Sequence, residues 1–129
     1  MAIRPVSGKG IPTPAGPYSP GIAWDRLVFT AGQVGGDPAN GGKPAASDVG
    51  RQTAQVLRNL QAVLEAAGTD MAHVVKTLCF LTDINDFAAF NEVYRTFFPN
   101  NPPARSTIQA GLVSPWLVEI EAIAVIGDD

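Results

Sequence analysis

Val49, Val56, Leu57, Leu60, Val63, Leu64 and Ala67 recur with a 3.6-residue period and fall on one face of a helix from Asp48 to Ala67. Such a helix is about 30 Å long at ~1.5 Å per residue. Its apolar stripe has to lie on a second layer, so the remaining sequence must supply one. Ser47 or Asp48 can cap its start, and Gly68 stands just past its end, where a left-handed residue is wanted.

The second layer reads as strands. Gly21 to Ala31 forms a hairpin, with Ile22-Ala23-Trp24, a turn near Asp25-Arg26, and Leu27-Val28-Phe29-Thr30-Ala31. Val74 to Leu81 is a strand by its β-branched and aromatic content. Phe87, Phe90, Tyr94 and Phe97 repeat at helical spacing and predict a second helix over about Asp86 to Phe98 with that stripe in the core; Asn85 or Asp83 can cap it, and Pro99 stops it. Two last strands are expected near Arg105 to Ala110 and Leu117 to Ile126. The prolines at 5, 12, 14, 17 and 20 make residues 4 to 20 extended and irregular, and Gly35 to Pro44 is a turn-rich loop. A phosphate-loop reading of that loop fails, because Asp37 stands where Gly is needed and Pro44 where Ser or Thr is needed. The order β-β-α-β-α-β-β over a single domain, 1–129, is an α/β (α+β) fold: a mixed sheet with two helices on one face.

Two helices cover only one face of such a sheet. Alternation along Val74 to Leu81 places Val75, Cys79 and Leu81 on one side, and Val74, Leu78 and Phe80 on the other. A strand apolar on both sides expects cover on both. Another subunit supplies it most simply, so an obligate oligomer with sites between subunits is expected.

Composition removes several classes. Apolar residues are 46% and charged ones 16% of 129 residues, as in a packed globular chain. Net charge is −3, with no Lys/Arg cluster, so no nucleic-acid footprint is expected. The longest purely apolar run, Ala122 to Ile126, is far too short to cross a bilayer. Residues 1 to 10 carry no apolar signal core, and the one cysteine, Cys79, cannot form an internal disulfide; the expected location is cytoplasmic. One His and one Cys cannot supply the usual zinc ligands, so no metal is expected. Cys79 itself reads as a small buried hydrophobe rather than a nucleophile.

What chemistry remains gathers around Arg105. It follows Asn101-Pro102-Pro103-Ala104 and opens Arg105-Ser106-Thr107-Ile108-Gln109, which alternates like a strand. Glu119 lies twelve residues beyond Thr107, in the alternating run Val118-Glu119-Ile120-Glu121-Ala122. Arg105 and Thr107 share one strand face, and Glu119 and Glu121 share one face of the other. The expectation is that Arg105 looks toward the Glu119 side of the sheet. An arginine fork suits a small carboxylate, and a carboxylate with a hydroxyl suits the handling of water. The plain alternatives are a surface ion pair for Arg105 and cross-strand pairing for the two glutamates.

The chain resembles the RidA/YjgF family, also called the endoribonuclease L-PSP family, whose members include reactive-intermediate (enamine/imine) deaminases. The likeness runs from Gly16-Pro17-Tyr18 through Thr30-Ala31-Gly32-Gln33, Gln52-Thr53, Leu64-Glu65-Ala66-Ala67-Gly68 and Val75-Lys76-Thr77. It continues through Asp86-Phe87, Asn91, Tyr94, Phe97-Phe98, Pro103-Ala104-Arg105-Ser106-Thr107 and Val118 to Ala124. The resemblance implies a chorismate-mutase-like fold and a homotrimer with three inter-subunit clefts. It implies that Arg105 binds a substrate carboxylate, that Glu119 and the backbone around Thr107 place a water, and that Tyr18, Gly32 and Asn91 line the cleft. Departures are Ala31 where the deaminases often have Ser, Thr107 where they have Cys, and one residue fewer between Arg105 and Glu119. Trp116 sits in that shortened stretch and, with Ala31, is a candidate for shaping the substrate pocket.

The implied reaction is hydrolysis of a 2-imino acid of the 2-aminoacrylate/2-iminopropionate type to a 2-keto acid and ammonia, with no cofactor. Three alternatives stand beside it. The first is a deaminase of a different, bulkier imine, and the second a non-catalytic trimer binding small carboxylates. The third is RNA cleavage, disfavoured by the acidic balance and the lack of a histidine pair.

Overall fold

The structure, a computed structural model, describes residues 2–127; Met1, Asp128 and Asp129, the ends of the expected 1–129 domain, lie outside the described residues. Strands β1 (Arg4–Pro5), β2 (Gly21–Trp24) and β3 (Leu27–Thr30) come first, followed by β4 (Gly36–Asp37) and β5 (Lys43–Pro44). Helix α1 (Val49–Ala66), β6 (Val74–Leu81), α2 (Phe87–Phe97), β7 (Ala104–Gln109) and β8 (Val118–Val125) complete the chain. Six strands form one sheet in the order β1-β2-β3-β8-β6-β7. Among the described strands only β6 and β7 run parallel, and α2 is the crossover that a parallel pair requires.

The amphipathic period does become a helix. Asp48 Oδ1 accepts from the Arg51 N–H at 2.8 Å, and Gly68 follows the last turn with φ of 92°. The stripe Val56, Leu57, Leu60, Val63 and Leu64 is buried against Val28, Leu81, Val118, Ile120 and Ala124 from the sheet. The core therefore lies between the sheet and its two helices.

Several expectations change in detail. Pro5 pairs with Ile22 at the sheet edge, where a residue without an N–H is tolerated, so part of the proline-rich lead is a strand. The loop from Gly35 to Pro44 holds the small β4–β5 hairpin, turned by Gly41 and Gly42 at positive φ. Asp83 caps the short 3-10 turn before α2, accepting from the Asn85 N–H at 2.9 Å, while Asp86 heads α2 with no side-chain cap. Strict alternation along β6 also fails. A bulge between Val74 and Lys76 breaks the register, so Val74 is buried with Thr77, Cys79 and Leu81 while Val75 is 47% exposed. The α2 stripe is not all core: Phe90 and Tyr94 are buried, but Phe87 is 39% exposed.

The helix-free face of the sheet is apolar and open. Leu78, Phe80 and Ile123 are half-buried on it, and Trp24, Phe29 and Ile108 are exposed.

Candidate functional site

Arg105 sits on the edge strand β7. Register places it beside Thr77, and Thr107 beside Cys79, on the face that the helices cover. Helix α2 therefore meets its side chain. The Nη1 group of Arg105 donates to Asn91 Oδ1 at 2.8 Å. The guanidinium carbon lies 4.8 Å from the centre of the Tyr94 ring, 5.3 Å from Phe90 and 5.4 Å from Phe87. The Tyr94 hydroxyl is 2.8 Å from Thr77 Oγ1, which fixes the ring from behind. No carboxylate pairs with Arg105 among the described residues. A cavity of about 220 Å³ opens here, lined by Asn91, Tyr94, Phe98, Pro102, Pro103 and Arg105.

Thr107 Oγ1 is buried without a hydrogen-bond partner among the described residues. Beside it on β6, burial pushes the Cys79 thiol up to about 11, with smaller opposing help from Thr77 and the Arg105 charge. Cys79 is a neutral thiol at ordinary pH, in keeping with its reading as a packed small residue. His73 is no base in waiting: its Nδ1 lies 2.7 Å from Asp70 Oδ1 at the start of β6.

Glu119 is elsewhere. It pairs with Phe80, and Glu121 with Leu78, so both carboxylates stand on the helix-free face. Burial first, and the neighbouring Glu121 charge second, hold the Glu119 carboxyl above the usual carboxylate range. Gly32 lies directly against it: a Cβ there would collide with the Glu119 carboxylate. Two backbone bonds between Gln33 and Ile120, at 2.9 and 3.1 Å, hold this approach. A cavity of about 600 Å³ begins at Gly32 and is walled by Tyr18, Trp116, Ile11, Pro12 and Val34. Tyr18 OH accepts from the Ala15 N–H at 3.1 Å. Ala31 donates its N–H to Pro20 O at 2.9 Å and lines neither cavity.

The expectation that Arg105 looks toward Glu119 is overturned. The two lie on opposite faces, with β6 between their strands. Two strand spacings are about 10 Å, too far for one short acid to bridge even on a shared face. The candidates split into one group with Arg105, Asn91 and Thr107, and another with Glu119, Gly32, Tyr18 and Trp116.

Some neighbours of the candidate residues escaped the sequence reading. Phe87, Phe90 and Tyr94 surround Arg105 instead of only filling core. The available signal was that Asn91 falls four residues after Phe87, on their helical face. Gln52, buried on α1, clamps the Trp116 loop: its Nε2 donates to Pro115 O at 3.2 Å and to Ala46 O at 2.9 Å, and its Oε1 accepts from the Leu117 N–H at 2.9 Å. Asn59 donates to Val34 O and Gly36 O, at 3.0 and 2.9 Å, and holds the hairpin wall.

Fold and candidate residues together define a class: a mixed six-stranded sheet with two helices on one face, an aromatic-boxed arginine at its edge, and a pair of glutamates on its open face. The family model for endoribonuclease L-PSP matches residues 9–126, and the chain belongs to that family, also known as RidA/YjgF. The 2-iminobutanoate/2-iminopropanoate deaminase of Rattus norvegicus is 43% identical over 123 residues, covering 95% of this chain and 89% of its own. The human protein of the same name is 41% identical over 125 residues, covering 96% and 90%. Among solved structures, E. coli TdcF with bound serine is 38% identical with a TM-score of 0.89, covering 95% of this chain and 98% of that one.

Proposed function

We infer that this protein hydrolyses reactive 2-imino acids, and the enamines that tautomerise to them, to 2-keto acids and ammonia. The relatives named as imine deaminases, at above 40% identity across nearly the whole chain, support the reaction. The observation that carries the site is a cation with no carboxylate partner among the described residues on one face and a proton-hungry carboxylate on the other. A neighbouring subunit's Arg105 half meets this subunit's Glu119 half, and a homotrimer forms three such clefts. The open apolar face around Phe29, Phe80 and Ile108 is what the neighbour covers.

In this scheme Arg105 takes the substrate carboxylate bidentately, which orients the C=N carbon. Glu119 accepts a proton as water oxygen bonds to that carbon and the C=N electron pair moves to nitrogen. Glu119 returns that proton to the nitrogen, giving the neutral tetrahedral aminoalcohol; the hydroxyl proton then passes through the same carboxylate to nitrogen, the C–N bond breaks, and ammonia leaves as the C=O forms. A raised Glu119 pKa suits this shuttling, because a proton acceptor works best near the operating pH. Gly32 leaves room at the carboxylate that any side chain would take.

Generating 2-aminoacrylate in situ with a serine dehydratase and following its disappearance tests this. The protein should speed keto-acid formation, and Arg105→Ala should abolish the effect. Equal rates with wild type, Arg105→Ala and no protein would remove the assignment.

One observation favours a second substrate. The cavity of about 600 Å³ beyond Gly32 is of the size that holds drug-sized ligands, and Trp116 and Ile11 give it apolar walls. An imino acid with a bulky apolar side chain fills it better than a three-carbon one. Comparing kcat/KM across imino acids of increasing side-chain size separates the two.

A further inference from the structure

We propose that Phe87, Phe90, Tyr94 and Asn91 of α2 form an uncharged cradle that positions the Arg105 guanidinium for carboxylate capture. This rests on the deaminase reading and names residues that act through Arg105 rather than on the substrate.

A lone arginine at a sheet edge has a long, mobile side chain whose ordering opposes binding. The usual remedy is an acidic partner, but a carboxylate would occupy the same fork that has to grip the substrate. The chain holds Arg105 by other means. Three ring faces lie between 4.8 and 5.4 Å from its central carbon and attract the cation through their quadrupoles. Asn91 takes one Nη1 N–H with a neutral oxygen and leaves the others for a ligand. The guanidinium is thus confined while its positive charge stays unneutralised.

Packing alone does not account for the arrangement. Phe90 is fully buried, so its ring is needed by the core, but Phe87 keeps 39% of its surface exposed and still covers the guanidinium. Tyr94 carries its ring at a set angle because its hydroxyl is tied to Thr77 Oγ1 on β6. The residues fall at positions i, i+3, i+4 and i+7, one continuous strip of α2 turned to β7. A strip read from sequence as core is therefore also the mount for the binding cation.

Phe87 is the residue to test, since its exposure lets it change without emptying the core. In the full-length protein, Phe87→Leu keeps apolar bulk and removes the ring face, while Phe87→Tyr keeps the face. The expected result is that Phe87→Leu raises KM for 2-iminopropionate and Kd for a 2-keto acid product about fivefold to tenfold. Its kcat and Tm should stay close to wild type, and Phe87→Tyr should restore the binding. In ¹⁵N-arginine-labelled protein without ligand, the Arg105 side-chain signals should show restricted rotation about Nε–Cζ, lost in Phe87→Leu. Freely rotating wild-type Arg105, or equal weakening by Leu and Tyr, overturns the proposal. If no imine is turned over while rotation is restricted and keto-acid binding follows the ring, the deaminase reading fails and the cradle stands.

Discussion

Arg105 and Glu119 stand on opposite faces of one sheet, two strands apart, with β6 running between them. Arg105 is boxed by rings and has no carboxylate partner among the described residues, and Glu119 is pressed against Gly32 with its proton affinity raised.

If each cleft takes Arg105 from one subunit and Glu119 from the next, two inactive variants can repair each other. Arg105→Ala and Glu119→Ala chains, unfolded together and refolded as a mixture, should recover about a quarter of wild-type activity by random assembly into cyclic trimers. Each variant refolded alone should recover none. A mixture as inactive as its components would place both groups of a working site on one chain.

The Glu119 carboxyl titrates above its usual value of 4.5 in the folded protein, through burial and then the Glu121 charge. Between the unfolded and folded pKa the native state binds more protons than the unfolded one, so stability falls as pH rises through that window. Glu119→Gln should flatten this part of a Tm-against-pH curve. In wild type the acid limb of kcat/KM should lie above the ordinary Glu range, and Glu121→Gln should move it down by removing the second cause.

Ile108 is 47% exposed at the edge strand, on the face the helices leave open. Ile108→Lys leaves the core untouched but puts a charge where a neighbouring subunit is expected. Sedimentation equilibrium should show association weakened by at least about tenfold, ~1.4 kcal/mol, with helix content by circular dichroism unchanged. Activity should fall with the assembly.

Gln52 joins α1 to the loop that carries Trp116. Gln52→Leu leaves the Leu117 N–H and the Pro115 carbonyl without this partner, at a cost of about 1–3 kcal/mol. In a Trp24→Phe background, Trp116 is the single tryptophan, and its emission should shift to longer wavelength as the loop loosens. Discrimination between large and small imino acids should narrow in the same variant.

Much of this was legible from residue order. Helical period and β-branched content are local properties, so α1, α2, the β2–β3 hairpin and β6 to β8 came out within a residue or two of their observed bounds. A resemblance carried by Arg105-Ser106-Thr107 and Val118 to Ala124 pointed to the family that the comparisons show. Where alternation was trusted across a bulge, Val74 and Val75 exchanged places, because one inserted residue reverses every face before it.

Sequence by itself determined which segments are helices and strands and which side chains are rare enough to carry chemistry, since periodicity and composition need no partner. Only tertiary structure decided which faces those side chains occupy together. Strand order and register are set by contacts between distant segments, and they put Arg105 under α2 with three rings and left Glu119 on the bare side of the sheet. Thus α2 cradles the arginine although nothing in the local pattern of either segment names the other.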